Sequence, residues 1–296
     1  MKRFPIVLAA SFCCLLVIVT EGTSYCQKLD ASPRKTVLFA VWPAEKGKEP
    51  DAPLLDPIVL LTGKRLERPP EEKDSDAVWD RFQKVYYQAG QKYPMLIHGS
   101  AEGAVTIREA TSISCVSLMA TVSLSQPLPE DHMRIAASSL VGLGVHSDRD
   151  QEITTVDRSA FLGVALAYLK EKGINLPVSR IRLESLYSVS LSADTSNALV
   201  GSVSLQTKAA IHHLFVLAAK KNQGYVVDLA SYRVAKDVVD HTDDVDEDFV
   251  EHLDLDEAGT DEIITMMHYY ESWNYNIYRQ TNGVWKAVYN GGGGGC

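Results

Sequence analysis

The sequence lacks the short signatures that mark most known chemistries. It contains no H-E-x-x-H, no phosphate-binding G-x-x-x-x-G-K-[ST] loop and no G-x-G-x-x-G fingerprint. Zinc-protease, nucleotide-hydrolysing and dinucleotide-binding readings therefore have no foothold. His98-Gly99-Ser100 matches a fragment of some hydrolase sites, but no G-x-S-x-G surrounds Ser100. His212-His213 falls within an expected strand, where the two rings would face opposite ways. Both pairs read as structural or exposed residues. No C-x-x-C is present, and the cysteine spacings are too wide for a zinc site. No stripe of Lys and Arg exists to release counterions from a phosphate backbone, which excludes nucleic acid as the expected partner.

Basic residues are missing from one place above all. Residues 237–262 hold 13 Asp and Glu with no Lys or Arg; outside them 25 acids face 29 bases. The formal charge of −9 is therefore a local block on a nearly balanced chain. Long apolar runs are also missing. The longest, Ile6 to Val19, has 14 residues, short of the roughly 20 that span a bilayer as a helix. With Lys2 and Arg3 before it and Gly22, Thr23 and Ser24 after it, it has the layout of an export signal. The expectation is a signal peptide over 1–24, cleavage after Gly22 or Ser24, and a periplasmic or extracellular protein. Its one membrane link would be the export signal.

What the chain does contain is β pattern. At 296 residues with 46% hydrophobic content it can bury a core. Strands are expected at Lys35–Trp42, Pro57–Leu61, Arg65–Glu67, Met95–Ile97, Ala104–Ile107 and Ile113–Leu124, with a short helix over Asp76–Gln88. Residues 25–126 thus read as an N-terminal β-rich domain and 127–153 as a connecting stretch. Arg158–Lys172 is the amphipathic helix of the chain. Phe161, Val164, Ala165, Tyr168 and Leu169 share a face, Asp157 can cap its start, and Gly173 ends it.

Residues 154–290, helix included, form the last domain, and its β part reads as a tandem repeat. Ser190–Val200 lies under Asp254–Ile264 at an offset of 64, and the following hairpins correspond at 59 or 60. Each copy runs turn, strand, hairpin, strand, and such a unit must share its sheet or stack on another to bury an apolar face. The fold class expected is β-rich α+β: an N-terminal β region, one amphipathic helix, then tandem β-hairpin repeat units.

Asp254-Leu255-Asp256-Glu257-Ala258-Gly259-Thr260-Asp261-Glu262 alternates acids ahead of a glycine. The run resembles the acidic loop of FG-GAP/VCBS-type β-repeats, D-x-[DN]-x-D-G-x-x-[DE], over residues 250–289 and more faintly 186–228. That likeness implies calcium, with Asp254, Asp256 and Glu262 as side-chain ligands and Thr260 giving a carbonyl. Ala258 stands where the third carboxylate should be, and Ser190 and Ser192 replace both leading acids in the first copy, so any calcium would be weakly held. The same residues also suit an Asx-type turn ahead of a strand.

Tyr269, Tyr270, Trp273, Tyr275, Tyr278, Trp285 and Tyr289 crowd the segment that follows. They suit cross-strand packing, with a sugar-stacking platform as the functional alternative. Gly291–Gly295 reads as a flexible tail over 291–296, carrying Cys296 within reach of Cys26 or a second molecule while Cys115 stays reduced. Taken together, the chain resembles secreted proteins of Gram-negative environmental bacteria. The function expected is an exported, non-enzymatic binding or structural module of the cell envelope, with an envelope protein or carbohydrate as partner. The alternative is a secreted hydrolase acting on polysaccharide.

Overall fold

A computed structural model describes residues 35–44, 51–71, 74–113, 116–128, 133–147, 150–193, 197–222, 224–236, 242–243 and 245–295. The expected export signal and Cys26, Cys115 and Cys296 lie outside them.

Residues 35–137 give β1 (Thr36–Trp42), β2 (Leu54–Thr62), β3 (Arg65–Glu67), α1 (Asp76–Tyr86), β4 (Lys92–Ile97), β5 (Ser100–Ile113), β6 (Val116–Leu124) and β7 (Arg134–Ala137). Their sheet runs β1-β7-β4-β5-β6-β2-β3, and pairing of β1 with β2 closes six strands into a barrel. Alternation along β1 decides which residues fill it. Val37, Phe39 and Val41 point inward with Tyr93, Met95, Val105, Ile107 and Val122, and α1 adds Phe82 and Tyr86. Leu38 and Ala40 point outward, into a second core. Both parities are buried, so β1 reads as an unbroken apolar run.

α2 (Thr155–Glu171) follows, starting three residues earlier than the sequence suggests. Thr154 is the cap: its Oγ1 accepts from the Asp157 N–H, while Asp157 Oδ2 accepts from the Thr154 N–H. Asp157 thus closes a capping box from inside the helix. Phe161, Ala165 and Leu169, one turn apart, pack on Leu199, Val203, Leu214 and Val216.

Those partners belong to the first of two antiparallel meanders. β8 (Arg182–Val189), β9 (Ala198–Gln206), β10 (Ile211–Lys221) and β11 (Gly224–Ala235) form one sheet; β12 (Asp246–Leu253), β13 (Glu262–His268), β14 (Ser272–Thr281) and β15 (Val284–Gly295) form the other. Their last hairpins turn at Asn222 and at Asn282-Gly283, with positive φ at each of these residues, as tight hairpin turns require.

The β12–β15 sheet is the middle layer. Phe249, Ile263, Tyr278 and Trp285 meet Val200, Phe215 and Leu217 on one side. Leu253, Ile264, Met266, Tyr275 and Ile277 meet the barrel's outer face on the other. The chain is thus β-rich with two helices among the described residues.

The expected flexible tail is replaced by strand. Gly291–Gly295 completes β15, pairing with Ser272, Trp273 and Tyr275. A Cβ on Gly292 would sit 2.5 Å from the Ile58 carbonyl oxygen, and one on Gly293 would strike the Trp273 carbonyl. Only glycine lets this strand lie so close to its neighbours, and tertiary contact overrides its poor intrinsic propensity.

Candidate functional site: a histidine–carboxylate hub

Where barrel, connecting stretch and both meanders meet, three histidines and three carboxylates gather. β12 skips register between Phe249 and Glu251, and the extra residue turns Glu251 and His252 into the junction. His252 is fully buried between two acids. Its Nδ1 is 2.6 Å from Asp261 Oδ2 and its Nε2 is 3.0 Å from Asp150 Oδ2. His146 Nε2 reaches the same Asp261 oxygen at 2.8 Å. His98 Nδ1, itself buried, lies 2.8 Å from Asp150 Oδ2 but off the line of a hydrogen bond. The result is a chain, His98–Asp150–His252–Asp261–His146.

Backbone geometry sets each member. His98 and Gly99 form the two-residue turn between β4 and β5, both at positive φ. A Cβ on Gly99 would collide with the His146 ring, so glycine there admits the imidazole. Glu251 accepts from the N–H of His98 through Oε2 and from that of His252 through Oε1, both at 3.0 Å. Asp150 Oδ1 accepts from Ser190 N–H at 2.8 Å, and Asp261 N–H donates to the Leu191 carbonyl at 2.8 Å.

Charge follows geometry. Burial alone would lower the His252 pKa, but its bonds to Asp150 and Asp261 and the nearby Glu251 outweigh that and raise it to about 10. Burial would raise Asp150, yet His252 and His98 hold it well below the usual carboxylate range. Contact with Asp150 raises His98, and burial raises Glu251.

The acidic loop between β12 and β13 is closed by protein donors. Asp254 accepts from the N–H groups of Asp256, Ala258 and Gly259 at 3.3, 2.9 and 2.7 Å. Glu262 accepts from Leu255 N–H at 2.8 Å and from Arg279 Nε. Arg279 Nη1 and Lys64 Nζ stand 3.7 and 3.8 Å from Asp256 Oδ2, while Asp256 Oδ1 has no hydrogen-bond partner among the described residues. Thr260 is half-buried at the mouth of a cleft beside Leu191 and Trp285.

The aromatic segment divides between cores. Trp273, Tyr275 and Ile277 face the barrel and Tyr278 faces the other way, as alternation requires; Tyr269 and Tyr270 are exposed. Trp273 Nε1 and Tyr275 OH donate to the buried Asp56 at 2.8 and 2.7 Å. Burial pushes Asp56 up to about 6 although these donors pull it down. Asp56 walls a cavity of about 290 Å³ shared with Glu71, Trp79 and Gly292. His212 stacks on Tyr232 and bonds its hydroxyl, away from the hub.

Sequence reading missed Asp150, His146, His252, Asp261 and Glu251 as a set. Its signals were slight: a histidine inside Glu251-His252-Leu253-Asp254 and the polar run around His146 to Asp150. Comparison with protein-family models, curated proteins and solved structures finds no match.

Proposed function

We propose that the chain is an exported, non-enzymatic binding or structural module of the cell envelope. The observation that carries this reading is the use made of the acidic block. Glu247, Glu251, Asp254, Asp261 and Glu262 are buried and hold backbone amides, hydroxyls, histidines or an arginine. Glu251 and Asp261 fasten the sheet to His98 and His146, the other acids bond within the sheet and its loop, and a partner would meet the outer surface. The test is sedimentation with isolated envelopes and their polysaccharides. The protein should pellet with them and release no new reducing ends; loss of pelleting would overturn the reading.

One observation favours the hydrolase alternative. Asp56, raised to about 6 by burial in the wall of a cavity that Glu71 also lines, is the carboxyl a general acid would draw on. Reducing-end release that disappears in Asp56→Asn would establish it.

We also infer that 186–228 and 250–289 are two copies of one FG-GAP/VCBS-like unit. Equal strand order in the two meanders and asparagine turns 60 residues apart support this. An experimental structure in which the two backbones fail to superpose would sink it. Calcium is not needed for either reading, because Arg279 and Lys64 already supply positive charge at Asp256. Melting curves in millimolar calcium and in chelator should coincide; a rise with calcium would show that the ion displaces these side chains.

A further inference from the structure

We propose that His98 Nδ1, Asp150 Oδ2 and His252 Nε2 bind a divalent transition-metal ion of the zinc class, with Asp261 orienting His252. This goes beyond the binding-module reading and does not depend on it.

Three donor atoms of the right chemistry converge. The nitrogens of His98 and His252 lie 2.8 and 3.0 Å from one oxygen of Asp150, and all three atoms fall within 4.8 Å of one another. Ligand atoms about 2.0–2.1 Å from a tetrahedral ion stand about 3.3 Å apart. The two nitrogen–oxygen pairs therefore need to open by only a few tenths of an ångström. Two imidazoles and one carboxylate suit zinc, cobalt or nickel, whereas calcium takes six to eight oxygens. Three protein ligands leave a fourth position for water.

Two features outside the trio point the same way. The first is Asp261. Its 2.6 Å contact with His252 Nδ1 keeps a proton on that nitrogen, so an incoming ion would displace the proton of Nε2 and take its lone pair. Asp261 is in turn held by His146 and by its own N–H on Leu191. The second is His98. Its Nδ1 is buried and close to Asp150, yet the N–H direction does not run to the oxygen. A nitrogen beside a carboxylate but not aimed at it suits two ligands of a shared third atom better than a donor and its acceptor. Glu251, bonded to the amides of both histidines, keeps the two ligands in register without being a ligand.

The second histidine group, His146, His252 and Asp261, offers a rival site. The proposal assigns Asp261 and His146 to the support instead, so the two sites are separable by substitution. The experiment is titration of the full mature chain, stripped with chelator, with cobalt(II) followed by its visible absorption, and with zinc(II) by calorimetry. His98→Asn is the main variant, because asparagine suits the left-handed turn position and should leave the fold intact. The wild type should bind one ion with tetrahedral cobalt absorption. His98→Asn should weaken binding at least about 100-fold, Asp261→Asn by about 10–100-fold, and His146→Gln by less than either. Circular dichroism of each variant confirms folding. No binding by the folded wild type at micromolar ion, or equal affinity in wild type and His98→Asn, would overturn the proposal. So would loss of binding in His146→Gln with retention in His98→Asn, which would place the ion at the rival site.

Discussion

A buried carboxyl raised from 3.8 to about 6, as Asp56 is, holds its proton more tightly folded than unfolded. Its contribution to stability is therefore fully present below pH 3.8 and is lost as pH rises through 6. A shift of that size corresponds to about 3 kcal/mol. Denaturant melts between pH 4 and 7 should show wild type losing stability relative to Asp56→Asn by roughly that amount; parallel curves would mean Asp56 titrates normally. At this scale the sequence was nearly silent. Asp56 stands just ahead of the expected Pro57–Leu61 strand, and nothing local announces Trp273 and Tyr275 as its donors. The hub is the same case on a larger span. His98 and Asp261 meet only because a barrel turn and a meander loop arrive at one junction, and no spacing rule connects them. His98-Gly99 was visible as a polar pair, but its meaning depends on His146 stacking beside His252.

Elements were far more legible. The unbroken apolar run of Thr36–Trp42 and the helix around Phe161, Ala165 and Leu169 follow from local composition and periodicity. The glycine run forms a strand against its propensity, and the reason lies outside it, in Pro57, Ile58 and Trp273. This makes a specific expectation. Gly292 combines φ +64 with a clash at the Ile58 carbonyl, whereas Gly283 has φ +75 and open space around its Cα. Gly283→Ala should cost about 1–2 kcal/mol from backbone conformation alone. Gly292→Ala should cost about 1–3 kcal/mol more, because backbone must move as well. Equal melting temperatures for the two variants would show that the glycine strand is not held against β2.

For the molecule as a whole, the middle sheet determines cooperativity. Neither the barrel's outer face nor the side of the β8–β11 meander away from α2 stays covered once β12–β15 is lost, since Leu253, Ile264 and Tyr275 serve one and Ile263, Tyr278 and Trp285 the other. Thermal unfolding should be a single transition with equal calorimetric and van't Hoff enthalpies. Two resolved transitions would mean the barrel stands alone.

That middle layer is also made after both of the layers it joins. The barrel's final strand ends at Ala137, but the residues that cover Leu38, Ile58 and Ile135 run from Val250 to Tyr289. A ribosome adding about 5–20 residues per second needs on the order of ten seconds to bridge that gap. Throughout that interval the nascent chain carries a finished apolar face with nothing to lay on it. Growth from the N-terminus therefore cannot finish the fold piece by piece: that face waits, uncovered, until Val250 to Tyr289 have emerged.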